Sequence, residues 1–286
     1  MAFNWQTFKT RALTAIVFVV VMMVGLLWNS WSFFILFSIV HFGAWIEYQK
    51  LIGLINKEYS TVNWLHRYGI MLAGWCLLLF FTNQQLQLFE AHLTTIGWWL
   101  GIAFLLIIPL TILLQLLKSF FINIGYSLFG ILYISLPLAL LIDLRNHWED
   151  ERIDLNLIIP LFIIFTLWVN DTMAYVVGSF IGKTPLSSIS PKKTWEGTVG
   201  GILLAVVVMS LIAYLTQKLS VTHAAIIAAL ASISGTYGDL FESKLKRLAG
   251  VKDSGKIMPG HGGFLDRFDS ILFAAIVVWA YVIFFV

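Results

Sequence analysis

Between Ser243 and Asp269 the chain reads SKLKRLAGVKDSGKIMPGHGGFLDRFD. Lys244, Lys246, Arg247, Lys252, Asp253, Lys256, His261, Asp266, Arg267 and Asp269 follow one another there, broken by Gly255, Gly260, Gly262 and Gly263. Cations meet phosphate oxygens, carboxylates hold a metal, and glycines let backbone approach a ligand. The mixture therefore suits a site that handles phosphates and a divalent cation. Immediately upstream, Asp239, Glu242, Ser243, Lys246 and Arg247 follow i, i+3, i+4 spacing. If the preceding helix continues, they share one face, with metal-binding carboxylates beside phosphate-binding cations. Asp266 and Asp269, also i, i+3, add two carboxylates at the start of the next apolar run.

Two further clusters precede this one. Asn170-Asp171 interrupts an apolar run and is followed by Gly178 and Gly182-Lys183. A buried aspartate costs about 2.5–3.5 kcal/mol on membrane-insertion scales, so Asp171 is expected to face protein or water. Gly178 and Gly182 match a small-xxx-small helix contact. The other cluster is Ser190-Pro191-Lys192-Lys193-Thr194-Trp195-Glu196-Gly197. Pro191 near a helix start, with Ser190 as N-cap, would fix the course of the chain there. Two lysines, hydroxyls and free helix-start amides would make an anion site. The competing reading of Lys192 and Lys193 is that they only set topology and touch lipid headgroups. His261, on a glycine-rich loop, reads as a ligand or acid–base group. No His or Cys grouping for zinc is present, and no G-x-x-x-x-G-K-[ST] loop; the oxygen-rich set favours Mg²⁺.

The elements that must position these residues are membrane helices. Hydrophobic residues make up 59% of the 286, charged residues only 12%, and mean hydropathy is +0.88. A soluble domain carries about 25% charge. Apolar runs long enough to cross a bilayer as helix occur at about 11–28, 31–48, 66–82, 95–117, 120–142, 155–178, 198–217, 221–239 and 270–286. The fold expected is all-α, a polytopic integral membrane protein of about nine transmembrane helices. The 11–28 run lacks a small-x-small cleavage site and does not read as a cleaved signal peptide. With the amino terminus cytoplasmic, only Arg145, Arg152 and Lys218 of the 18 Lys and Arg fall outside, which the positive-inside rule expects. The net charge of +3 resolves into this sidedness and gives no case for nucleic-acid binding. Cys76 is the sole cysteine, excluding an intramolecular disulfide. The chain reads as a single membrane domain over 1–286, with 1–160 as packing helices and 161–286 as the half that carries the chemistry.

The polar blocks resemble the signature of the phosphatidate cytidylyltransferases (CDP-diacylglycerol synthases). The resemblance rests on Ser243, Lys246-Arg247, Lys252-Asp253, Gly255, Pro259, His261-Gly262-Gly263, Asp266-Arg267 and Asp269. The upstream blocks Asn170-Asp171, Ser190 to Gly197 and Gly238-Asp239-Leu240 come in the family's order, so the likeness covers about residues 165–270. It implies an enzyme of the inner or plasma membrane, its site facing the cytoplasm. It would join CTP to phosphatidate in phospholipid biosynthesis, releasing pyrophosphate and requiring Mg²⁺. The sequence leaves open a monovalent cation beside the Mg²⁺, and homodimerisation.

Under that resemblance the catalytic set is Asp239, Lys246, Arg247, Lys252, Asp253, His261, Asp266, Arg267 and Asp269. Substrate binding would fall to Asp171, Ser190, Lys192, Lys193, Thr194, Glu196 and Ser243, with Lys246 and Arg247. The metal ligands would be Asp239, Glu242, Asp266 and Asp269. Two alternatives stand beside this reading. One is a family-like scaffold with altered lipid or nucleotide choice. The other is a polytopic transporter, against which stand the lack of a repeat and the gathering of charge at one face.

Overall fold

Within the described residues, 5–113, 120–148, 154–255 and 262–286, helices cover the apolar runs in the computed structural model. The helices are α1 (Trp5–Leu27), α2 (Ser30–Ile55), the short α3 (Lys57–Ser60), α4 (Trp64–Phe80) and α5 (Leu93–Leu113). Then α6 (Phe120–Gly130) passes through one π-helical turn, Ile131–Ser135, into α7 (Leu136–Asn146). Last come α8 (Leu155–Ile181), α9 (Trp195–Thr216), α10 (Val221–Leu248) and α11 (Leu265–Phe285). Two-residue strands, β1 (Gln87–Leu88) and β2 (Ala91–His92), form a hairpin between α4 and α5. Among the described residues six helical stretches are long and apolar enough to cross a membrane: α2, Asn123–Asn146, α8, α9, α10 and α11. Leu13–Leu27, Trp64–Phe80 and Leu93–Phe104 are shorter apolar helices. The protein is an all-α polytopic membrane protein. Lys118, Arg152, Lys256, Pro259 and His261 lie outside the described residues.

The chain forms two compact units. The first comprises Met1–Ser135 and Leu248–Phe268; the second comprises Leu136–Arg247 and Asp269–Val286. In the first, α2 is the central helix, with Phe37, Trp45 and Tyr48 fully buried. Some of its buried polar atoms meet one another: His41 Nε2 lies 2.9 Å from Ser135 Oγ, and Trp45 Nε1 donates to the same oxygen at 2.9 Å. Gly74 leaves the space for that meeting, since a Cβ there would run into the Ser135 hydroxyl. Asn29 starts α2 with a capping box shared with Ser32.

In the second unit α8 and α9 pack most closely. The buried residues of α9 are Gly197, Gly201, Ala205, Met209 and Ala213, a stripe repeating every four positions, while Leu203, Val207 and Leu211 are exposed for lipid. A Cβ on Gly197 would come within 3.0 Å of Gly178 Cα, so the helices touch backbone to backbone. That is the small-residue contact predicted from the spacing of Gly178 and Gly182.

Candidate active site

The loop between α8 and α9 presents the two lysines. It is closed as a small hairpin: Leu186 N donates to Lys193 O at 2.7 Å and Trp195 N to Thr184 O at 2.9 Å. Glu196 braces it from outside, accepting from Lys183 N at 3.1 Å, from Thr184 N and from Thr184 Oγ1 at 2.8 Å. The helix start differs from expectation. Thr194, not Ser190, is the N-cap of α9, its Oγ1 accepting from Gly197 N at 3.1 Å. The reason is the hairpin: its bridge between Pro185 and Thr194 keeps residues up to Thr194 extended or turned, so the helix cannot begin earlier.

Behind this loop lies a cavity of about 630 Å³. Asn170, Asp171 and Tyr175 of α8, Ser190, Lys192, Lys193 and Thr194 of the loop, and Asp239 of α10 are among the groups lining it. Lys193 Nζ is ion-paired with Asp239 Oδ2, and Ser243 Oγ donates to Asp239 Oδ1 at 3.3 Å. Asp269, on α11, lies within electrostatic range of Asp239, Lys193 and Asp171. Gly238 permits that approach, because a Cβ there would meet the carbonyl oxygen of Asp269 at 2.5 Å. Asn170 is buried, and its Oδ1 has no hydrogen-bond partner. Two carboxylates, two lysines and an unpartnered carbonyl thus line one cavity of the second unit, with a third carboxylate, Asp269, within electrostatic range. Such a set can hold phosphate oxygens on the cations and a hard cation on the oxygens.

Other expected residues go elsewhere. Glu242 is fully buried on α10 and pairs with Lys246, one turn on, so it does not line the cavity. Arg247, Lys252, Asp253 and Arg267 are exposed. Asp266 belongs to the first unit, where its Oδ2 accepts from Gly263 N at 2.8 Å and Ser254 N at 2.9 Å and lies 2.9 Å from Ser254 Oγ. That carboxylate organises the turn into α11.

The same turn holds a residue the sequence reading missed. Glu47 of α2, 4% exposed, accepts from Phe264 N and Leu265 N at 2.9 Å each, and from Ser254 Oγ at 2.7 Å. Gly255 and Gly263 make room for it, since a Cβ on either would strike its carboxylate. The signal was there: Glu47 is a lone acid inside an apolar run, the same anomaly that singled out Asp171.

The matching family model is described as the cytidylyltransferase family and covers residues 9–285. A phosphatidate cytidylyltransferase of Bacillus subtilis is 34% identical, over 94% of this chain and 93% of the relative. One of Haemophilus influenzae is 30% identical over 97% and 99% of the two chains. One of Synechocystis is 40% identical, but that match spans only about half of each, 51% and 52%. Both the family model and the full-length similarities run through the membrane helices as well as the polar blocks. The chain belongs to the cytidylyltransferase family.

Proposed function

We propose that this chain is a phosphatidate cytidylyltransferase, converting CTP and phosphatidate into CDP-diacylglycerol and pyrophosphate. A phosphate oxygen of phosphatidate attacks the α-phosphorus of CTP. The bond from that phosphorus to the bridging oxygen breaks, and pyrophosphate leaves with the electron pair. The attacking oxygen is already anionic, so no protein nucleophile is required; the protein positions charges and holds them. The observation that carries this reading is the cavity lined by Lys192, Lys193, Asp171 and Asp239, with Lys193 paired to Asp239.

Lys192 and Lys193 hold phosphate oxygens, and Asp239 orients Lys193 through their ion pair. Ser190 supplies a hydroxyl at the cavity wall. Thr194 and Glu196 act through the backbone of the loop they fasten. Lys246, Arg247, Lys252 and Arg267 add positive charge along the signature segment, where Asp253 and His261 also belong.

Among the described residues no three His, Cys, Asp or Glu side chains could hold a metal ion by themselves. Mg²⁺ does not need such a cage, being commonly held by one or two carboxylates together with substrate phosphates. Asp239 and Asp269, with the unpartnered Asn170 Oδ1, are the donors that fit it. When bound, Mg²⁺ offsets the negative charge of the triphosphate and of the departing pyrophosphate. Glu242 falls outside this set because it pairs with Lys246 and does not line the cavity, and Asp266 because it belongs to the first unit and fastens the turn at Ser254 and Gly263.

The setting we infer is nine spans, with a cytoplasmic amino terminus and the cavity at the inner face of the cell membrane. There CTP is available from water and phosphatidate from the leaflet. A homodimer is carried over from the family resemblance, and light scattering in detergent reads it. The test of function is incubation of purified protein with labelled CTP and phosphatidate, with Mg²⁺ and with excess chelator. Labelled liponucleotide should form only with both substrates and Mg²⁺. Its absence in every condition, with folded protein, would overturn the assignment.

A further inference from the structure

We infer that Glu47, in the N-terminal half otherwise read as packing, is a positioning residue for the reaction, locking the signature segment onto α2. This role rests on the functional reading above.

The geometry is specific. The first turn of a helix has backbone amides without intrahelical partners and carries the positive end of the helix dipole. At α11 two of those donors, Phe264 N and Leu265 N, point to the two oxygens of one carboxylate more than two hundred residues earlier in the chain. A buried carboxylate pairs best with such donors, and charge-assisted bonds of this kind are about twice as strong as neutral ones. Ser254 Oγ lies 2.7 Å from Glu47 Oε2 and 2.9 Å from Asp266 Oδ2, so its single hydrogen is within reach of either carboxylate and is donated to one at a time. The loop is thereby fixed at both ends: at Ser254, next to Lys252 and Asp253, and at Phe264–Leu265, next to Asp266 and Arg267. Packing agrees with the hydrogen bonds. Gly43, one turn before Glu47, is where the Phe264 ring lies, and Gly255 and Gly263 close over the carboxylate itself. Gly262 has φ +88°, which only glycine adopts without strain, and a Cβ there would also crowd Asp266.

A glutamine at position 47 is nearly the same shape but carries no charge, and its NH₂ group opposes a backbone donor. Glu47→Gln should release the loop without emptying the core. Two readouts separate this from a general structural defect. Amide exchange of a peptide covering 262–270 should accelerate by about 10–100-fold, as expected for losing charge-assisted hydrogen bonds, while peptides from α8 and α9 stay unchanged. Turnover at saturating CTP and phosphatidate should fall about 10–100-fold, because misplacing by an ångström the charges that position the phosphates costs that much. Glu47→Asp keeps the charge and should recover part of both losses. If Glu47→Gln does not fold, Ser254→Ala, which removes one donor, should show the same pattern in weaker form. Unchanged exchange at 262–270 in the variants that fold, or altered exchange with full turnover, overturns the role of Glu47. Altered exchange in a protein whose wild type makes no liponucleotide leaves the loop anchor standing and removes the enzyme assignment instead.

Discussion

Two regions of this protein concentrate charge in opposite ways. In the second unit Lys192, Lys193, Asp171 and Asp239 line an open cavity, and the buried Asn170 beside them has a carbonyl oxygen with no protein partner. In the first unit Glu47 and Asp266 are turned onto backbone amides and one serine hydroxyl. The first arrangement opens its charged groups onto space that a ligand can enter; the second turns them onto the chain itself. A charged residue in the sequence does not by itself show whether it holds a ligand or fastens a loop. The partner of each oxygen does.

The contrast can be broken most severely at the cavity. Asp239→Asn removes the charge that pairs with Lys193, and Asp269→Asn removes its acidic neighbour. Each should lower Mg²⁺-dependent turnover by about 100-fold or more while the melting temperature in detergent holds. Near-normal turnover in either would take that residue out of the site. On the other side of the comparison, Gly263→Ala drives a methyl group into the Glu47 carboxylate. It should lower stability by about 1–3 kcal/mol, seen as a lower melting temperature together with lower turnover.

Glu196→Gln sharpens the comparison within the second unit itself. Its oxygens bond loop amides and a threonine hydroxyl, as Glu47 does, but at an exposed position. Water can replace those bonds, so the apparent KM for CTP should rise modestly with kcat little changed. The smallest effect belongs to Lys218→Ala. Lys218 pairs with Asp154 at 2.6 Å, both more than half exposed. Its loss should change stability by less than about 1 kcal/mol and leave turnover intact, as for surface ion pairs generally.

Helices and polar blocks were legible for different reasons. A run of apolar residues long enough to span a bilayer has few structural options, so α8 to α11 could be placed from composition alone. Gly178 and Gly182 announced the contact with α9 because small residues four apart have one common use in membranes. Lys193 and Asp239 were singled out separately, but their pairing joins residues 46 positions apart, which no local pattern encodes. The N-cap was misplaced from Thr194 to Ser190 because the Pro185–Thr194 bridge is a tertiary contact that overrides a local preference. Glu47 was missed for a related reason. One acid among the apolar residues of α2 looks incidental until the turn at Phe264 and Leu265, far along the chain, is seen to need its oxygens.

The sharpest test is equilibrium binding of labelled CTP to purified protein carrying both Lys192→Gln and Lys193→Gln, beside the unaltered chain, without phosphatidate. If the second-unit cavity holds the triphosphate, binding should fall by at least about tenfold while melting is unchanged. Undiminished CTP binding by the double variant would contradict the account.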